Sequence, residues 1–337
     1  MTARTIPLDP TMFHPEPAEL VSGPKLRAFL HTYATGVAGI RIESAVGHIE
    51  VLPFVGQQVW RARLGGRELA MVTPFERPVP PERYTDYDAG NGAYLIHCGG
   101  TAMGIPGALD THPVHGELPF APHENVELVV HDSSITVRGS ASIGSSVRAD
   151  IELTVTRGSA LLESSVSLTN LGDAPTSLMY LAHTNFRPAP GGHLEETLRV
   201  GERISSRMDV DLDGVPFDTS RLDDGTVSMD RLLEPGVRVE PQVIQGVPAA
   251  RDDAGWVTTR VRHLDGSADV VRHDSPDLTH SVRWIKRTAD TDAFAFAMPA
   301  TATPGGLAAE NALGNVRFYA PGESLRVRYW HGMEPAV

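Results

Sequence analysis

A single cysteine, Cys98, stands in the 337-residue chain, so no disulfide can form within it. Lysine is almost missing too: Lys25 and Lys286 are the only two, and arginine carries nearly all the positive charge. Acidic residues outnumber basic ones 42 to 29, for a formal net charge of −13. Such a surface is repelled by phosphate backbones and by anionic lipid, which argues against nucleic acid and membrane as partners. No apolar run reaches spanning length. The first twenty residues hold Pro, Asp, Glu and His with no apolar h-region. A soluble cytoplasmic protein is therefore the expectation. Walker loop, dinucleotide glycine fingerprint and His-Glu-x-x-His are all absent, so the sequence implies no cofactor. Asp209, Asp211, Asp213 and Gly214 begin like a calcium loop, but its twelfth position, which needs a bidentate Glu, is Ser220. Cys98 has no motif around it and reads as a buried structural thiol.

What is abundant is turn-forming residue: 32 Gly and 26 Pro, against only 6% aromatics. That composition favours short strands over long helices. Residues 1–39 read as an N-terminal arm, irregular through Pro7, Pro10, Pro15, Pro17 and Pro24, with a short helical piece at 26–31. Residues 40–337 read as one β-sandwich domain. Gly65-Gly66 marks a hairpin. The clearest strands are 126–130, 134–138, 148–156 and 161–169, where Ile151, Leu153 and Val155 alternate with Asp150, Glu152 and Thr154. Residues 201–255 are acidic and irregular and read as a loop-rich excursion. Strands resume at 257–261, 269–272, 281–285, 294–298, 316–319 and 325–330, the last two joined by a Pro321-Gly322 turn.

Two histidine-bearing segments stand out. One runs from His97-Cys98-Gly99-Gly100 to Asp110-Thr111-His112-Pro113-Val114-His115-Gly116-Glu117. The other is Tyr180-Leu181-Ala182-His183-Thr184-Asn185-Phe186. His97, His112 and His115 have metal-ligating side chains, but Pro113 interrupts any helix that would put His112 and His115 on one face, and in a strand that spacing points them apart. No metal site is expected.

The stretch from Arg148 to Phe186 resembles the core of the aldose 1-epimerase (galactose mutarotase) superfamily. An alternating strand, a turn, a strand ending in Thr169-Asn170, a Gly172-Asp173 turn and a strand ending in His183-x-x-Phe186 follow in the family's order. His115-Gly116 matches the superfamily's earlier His-Gly pair, and Ala320-Pro321-Gly322-Glu323-Ser324 its final hairpin. The resemblance covers roughly residues 40–330 and is nearest to an uncharacterised bacterial branch. It implies an all-β, galactose mutarotase-like antiparallel β-sandwich (a supersandwich) holding a sugar on an open face. It implies interconversion of the anomers of a free aldose by general acid and base, with a small carbohydrate as partner. It says nothing of oligomeric state. His183 matches the general-acid histidine and His115 the second active-site histidine. Imidazole suits this chemistry because it both gives and recovers a proton near neutrality.

Other residues are candidates for binding the sugar. Glu117 lies two beyond His115 and Asn185 two beyond His183, so each pair shares a face of an extended strand. Trp60 and Trp284 have rings that suit the C–H face of a sugar. His97 and His112 belong to the first segment, and Arg187 and His193 follow the second closely enough to reach a rim. One position departs from the family. Its general base is a Glu before a Pro on a late strand; here the segment reads Ala297-Met298-Pro299, and a thioether does not take up a proton. Three readings follow: a mutarotase with a base relocated to Glu117, Asp110 or His97; an isomerase or lyase acting on a modified sugar through the His pair; or a carbohydrate-binding protein without catalysis.

Overall fold

The computed structural model describes residues 3–80, 87, 92–196, 205–206, 210–212, 215–217 and 229–336. Strand accounts for 52% of the chain and helix for 6%. Two antiparallel sheets dominate. The nine-stranded sheet runs in the order Arg4–Pro7, Glu124–Val130, Ser134–Ile143, Val147–Thr156, Leu161–Asn170, Ser324–Glu334, Ala268–His273, Val257–Arg262 and His193–Glu196. The twelve-stranded sheet runs Ser205–Ser206, Val239–Pro248, His280–Arg287, Asp292–Ala300, Met179–Thr184, Leu95–Gly100, Gln58–Leu64, Gly47–Leu52, Ala38–Ser44, Leu26–Thr32 and Ala18–Val21, with Arg67–Glu68 paired to Gln58–Leu64.

Alternation builds the core between them. On Val147–Thr156 every odd-numbered residue is buried while the even-numbered ones are half-buried or exposed, the pattern of a strand with one wet face. Ile135, Val137, Ile151, Leu168 and Leu325 of the nine-stranded sheet share one apolar cluster with Ile40, Ile42, Val51, Leu95 and Phe294 of the twelve-stranded sheet. A second cluster, with Trp60, Ile96, Cys98, Met179, Leu181, Val282 and Met298, lies on the other face of the twelve-stranded sheet, beneath its loops.

Several expectations change. The arm is not irregular: Arg4–Pro7 pairs with Glu124–Val130, and Ala18–Val21 and Leu26–Thr32 extend the larger sheet. The helix expected at 26–31 is a strand, because Leu26, Ala28 and Leu30 alternate inward with a period of two. Within 201–255, Val239–Pro248 is a sheet strand paired to His280–Arg287. Much of the remaining excursion, and Asp209, Asp213, Gly214 and Ser220 of the calcium-like motif, lie outside the described residues. The strand expected at 316–319 shrinks to Phe318–Tyr319. No helix among the described residues is long and apolar enough to cross a membrane.

The core also holds polar side chains. His97 Nδ1 and the Tyr180 hydroxyl lie 2.6 Å apart, Tyr180 and Tyr329 hydroxyls 2.9 Å apart, and His331 touches both Ser164 (3.0 Å) and Tyr94 (3.2 Å). These contacts tie the larger sheet to the smaller one through its interior. Burial disfavours charge there. It holds His97 and His331 near about 3, and His123, His183 and His273 near about 4, all below the ordinary 6.5.

Folding therefore keeps these imidazoles neutral while the unfolded chain protonates them below 6.5. Their contribution is fully present above that pH and is lost as pH falls toward 4, each histidine removing up to ~1.4 kcal/mol per pH unit. Denaturant titrations from pH 7.5 to 5 should show stability falling steeply below pH 6.5 with net proton uptake on unfolding. A flat profile across that interval would contradict the buried neutral histidines.

Candidate active site

His183 lies on Met179–Thr184, an inner strand paired antiparallel to Leu95–Gly100 and touching Asp292–Ala300. Strand alternation sends Tyr180 and Ala182 into the intersheet core and Met179 and Leu181 to the opposite face. His183 follows the second set, 3% exposed at the floor of a cavity.

His115 comes from a loop that main-chain hydrogen bonds hold to the sheet. Its N–H donates to Gly104 O (2.7 Å) and its carbonyl accepts from Gly99 N (2.7 Å), while Glu117 N donates to Gly99 O (2.9 Å). The turn requires φ of +62° at His115 and +80° at Gly116. Gly116 has no room for a side chain: a Cβ would stand 2.3 Å from Ala102 O and 2.4 Å from Gly99 O.

The two imidazole rings meet edge to face, 5.3 Å between centroids at 83°. Tyr87 flanks them, 4.6 Å from His115 and 5.9 Å from His183. Trp284 stands 5.8 Å from His183 on the His280–Arg287 strand, its Nε1 donating to Gln242 Oε1 at 2.7 Å. The cavity is about 390 Å³, within the range of small-molecule sites. Its remaining wall is apolar at Ile105, Val114, Ile244, Val282 and Met298 and polar at Thr73, Gln242, Lys286 and Thr291.

Met298 reaches the wall through a bulge. Val282 pairs with Met298 and Trp284 with Ala295, so Phe296 and Ala297 together oppose Arg283. The extra residue turns Met298 outward instead of Ala297. Among the described residues lining the cavity there is no Asp or Glu. His183 titrates near about 4, chiefly through burial, with contacts to the Asn185 side chain and its own backbone opposing. At neutral pH it is an uncharged imidazole.

The other sequence candidates divide by orientation. Trp284 joins the site. Asn185 supports it from below, its Nδ2 on Ala93 O (2.9 Å). His97 does not join: its strand partner is Ala182, whose face is the core, one residue out of phase with His183. Trp60 is 1% exposed within the second apolar cluster and does not line the cavity. Glu117 turns away onto Thr101, accepting from its hydroxyl (2.5 Å) and its N–H (3.1 Å). His112 and Asp110 brace the helix Leu307–Ala312: Leu307 N donates to His112 Nε2 (3.4 Å) and Ala308 N to Asp110 Oδ1 (2.8 Å). Arg187 donates to Ala70 O (3.1 Å), and His193 pairs with Asp230 at 2.5 Å, both away from the cavity lining. The relocated bases suggested by sequence, Glu117, Asp110 and His97, are thus all engaged elsewhere. No group of three or more His, Cys, Asp or Glu among the described residues is placed to hold a metal ion. Sequence reasoning passed over Tyr87, Gln242, Thr291 and Lys286. Lys286 alone had a signal, two residues beyond Trp284 on a strand and hence on its face.

The model of a family described as a domain of unknown function, DUF4432, matches residues 34–330. No curated protein matches the sequence significantly. Among solved structures, a candidate aldose 1-epimerase from Klebsiella pneumoniae superposes with a TM-score of 0.77 at 17% identity, over 98% of this chain and 91% of that one. A galactose mutarotase-like protein from Clostridium acetobutylicum gives 0.63 at 11% identity, over 93% and 99%. A candidate mutarotase from Salmonella typhimurium gives 0.59 at 11%, over 94% and 96%. At these identities the likeness establishes the fold.

The crowding at Gly116 yields a test of how His115 is held. Gly116→Ala should destabilise the protein by at least ~2 kcal/mol, since it adds both backbone strain and a clash with two carbonyls. Thermal and denaturant melts measure this; a change within ~0.5 kcal/mol of wild type would show that the turn yields freely.

Proposed function

Because the chain belongs to the DUF4432 family and has the galactose mutarotase-like fold, we propose that it is an aldose 1-epimerase-like enzyme that interconverts the anomers of a sugar by proton transfer through His183 and His115. One observation carries this reading: a strand and a loop distant in sequence bring the two imidazoles to 5.3 Å in a cavity with an indole wall. Trp284 offers a face for the C–H side of a sugar ring.

The burial of His183 sets its part. A neutral imidazole is a proton acceptor, so His183 removes the anomeric hydroxyl proton, the reverse of the general-acid role that the resemblance implied. The freed electron pair forms the aldehyde C=O as the bond from C1 to the ring oxygen breaks. His115, entering the step as the imidazolium, donates a proton to that ring oxygen and is left neutral, while His183 is left as the imidazolium. Rotation of the aldehyde and reversal of the steps give the other anomer, with protons and charge balanced. Asn185 acts as a positioning residue beneath His183. The apolar Met298 in the wall favours a second reading, a sugar-binding protein without turnover.

Saturation-transfer NMR on freshly dissolved α-anomers separates the two. Exchange should exceed that of buffer and fall by ~10²-fold or more in His183→Ala and in His115→Ala. Because the unprotonated His183 is the active form, its loss should appear only as pH falls toward about 4. Shift changes without exchange would leave the binding reading, and silence with every sugar would overturn both.

A further inference from the structure

We propose that the cavity is built for an anionic monosaccharide, one bearing a carboxylate or a phosphate away from the anomeric carbon, with Lys286 as its charge partner. This rests on the reading of the cavity as a sugar site and narrows its substrate class.

Lys286 lies on His280–Arg287, where Trp284 pairs with Ala295 and Lys286 with Ala293. The two side chains share a face about 7 Å apart along the strand. Trp284 is the wall beside His183, so Lys286 stands one step farther along it. A sugar stacked on the indole with C1 at His183 presents its far end to this ammonium.

Among the described residues, no carboxylate forms an ion pair with the charge at that position. Arg283 and Arg287, on the opposite face of the same strand, are neutralised inside the protein: Arg283 by Glu196, and Arg287 by Asp292 at 2.8 Å and the carbonyls of Leu232 and Glu234. Lys286 makes no ion pair or hydrogen bond among the described residues, although it lines the cavity. The carboxylate that feels its charge, Asp290, is fully exposed and is held by Thr288 at 2.7 Å and Thr291 at 3.3 Å. No described residue of the cavity lining is acidic. In a chain of net charge −13, the described lining of the sugar-sized cavity thus carries one open cation and no carboxylate. That potential is opposite to the molecule's overall charge and selects an anion. A neutral hexose offers the ammonium only hydroxyls, whereas a carboxylate or phosphate makes a charge-assisted bond. Thr291, Gln242 and Thr73, also in the lining, suit the remaining hydroxyls.

Dissociation constants of the full-length protein for D-glucose, D-galactose, their uronates and their 6-phosphates test this. At least one anionic class should bind about tenfold or more tightly than the matching hexose. The uronate and phosphate arms show which anion is preferred. Lys286→Met should bring the anionic-to-neutral ratio close to one, and Lys286→Arg should retain most of it, which separates loss of charge from misfolding. Equal affinity for hexose and anion, an unchanged ratio in Lys286→Met, or no binding of any anionic sugar would each overturn the proposal. The readout needs no turnover. Anion preference without anomer exchange would sink the proposed activity and leave this inference standing; exchange with equal affinities would do the reverse.

Discussion

The two-residue alternation of one inner strand, Met179–Thr184, governs both halves of the molecule. Its inward side places Tyr180 against His97 and Tyr329, joining the sheets through hydroxyls and imidazole. Its outward side places His183 in the cavity. A slip of one residue would exchange these faces. It would push His183 into the core and turn Tyr180 away from partners whose loss costs ~1–3 kcal/mol for each buried polar group left unpaired. The interior network therefore fixes the orientation of His183 without touching it.

The neighbouring strands carry this constraint outward. Gly99, opposite Tyr180 in the register, is also the residue to which the His115 loop is bonded through the main chain. On the other side, the bulge at Phe296–Ala297 reverses the phase of Asp292–Ala300 so that Met298 faces the cavity. At the bulge Arg283 is buried and its Nε donates to Phe296 O at 3.2 Å. A residue suited to an apolar wall thus stands at a position that the fold turns toward its cavity.

The fold and the His pair were legible in the sequence for one reason: strand periodicity and turn chemistry are local signals. Ile151, Leu153 and Val155 announced their strand, and His115-Gly116 and His183-x-x-Phe186 marked the two histidines that meet in the cavity. What was not legible depends on phase between strands. His97 was a candidate for sugar binding or a relocated base, yet its pairing with Ala182 turns it inward. Glu117 shared the parity of His115 only if the segment were extended; the left-handed turn at His115 and Gly116 breaks that parity and folds Glu117 onto Thr101. Trp60 and Trp284 are alike in composition, and only the tertiary layers separate a core indole from a wall indole. In the arm, five prolines hid the alternation of Leu26, Ala28 and Leu30. Tyr87 had no sequence signal, because neither a motif nor a period surrounds it.

A continuous path of main-chain hydrogen bonds links His115 to His183. Gly99 is hydrogen-bonded to the His115 and Glu117 main chain and paired in the sheet with Tyr180, three residues before His183. Main-chain bonds of fixed length therefore connect the two histidines from end to end. Side-chain changes in the wall leave that path intact, and so a wall residue can be exchanged without moving the imidazoles. What such a replacement does change is the electrostatics. With an uncharged His183, Met298 in the wall and Lys286 open, the balance of the described lining is cationic. The architecture thus separates two properties: the sheets fix where the two imidazoles meet, and the wall residues set the charge around them.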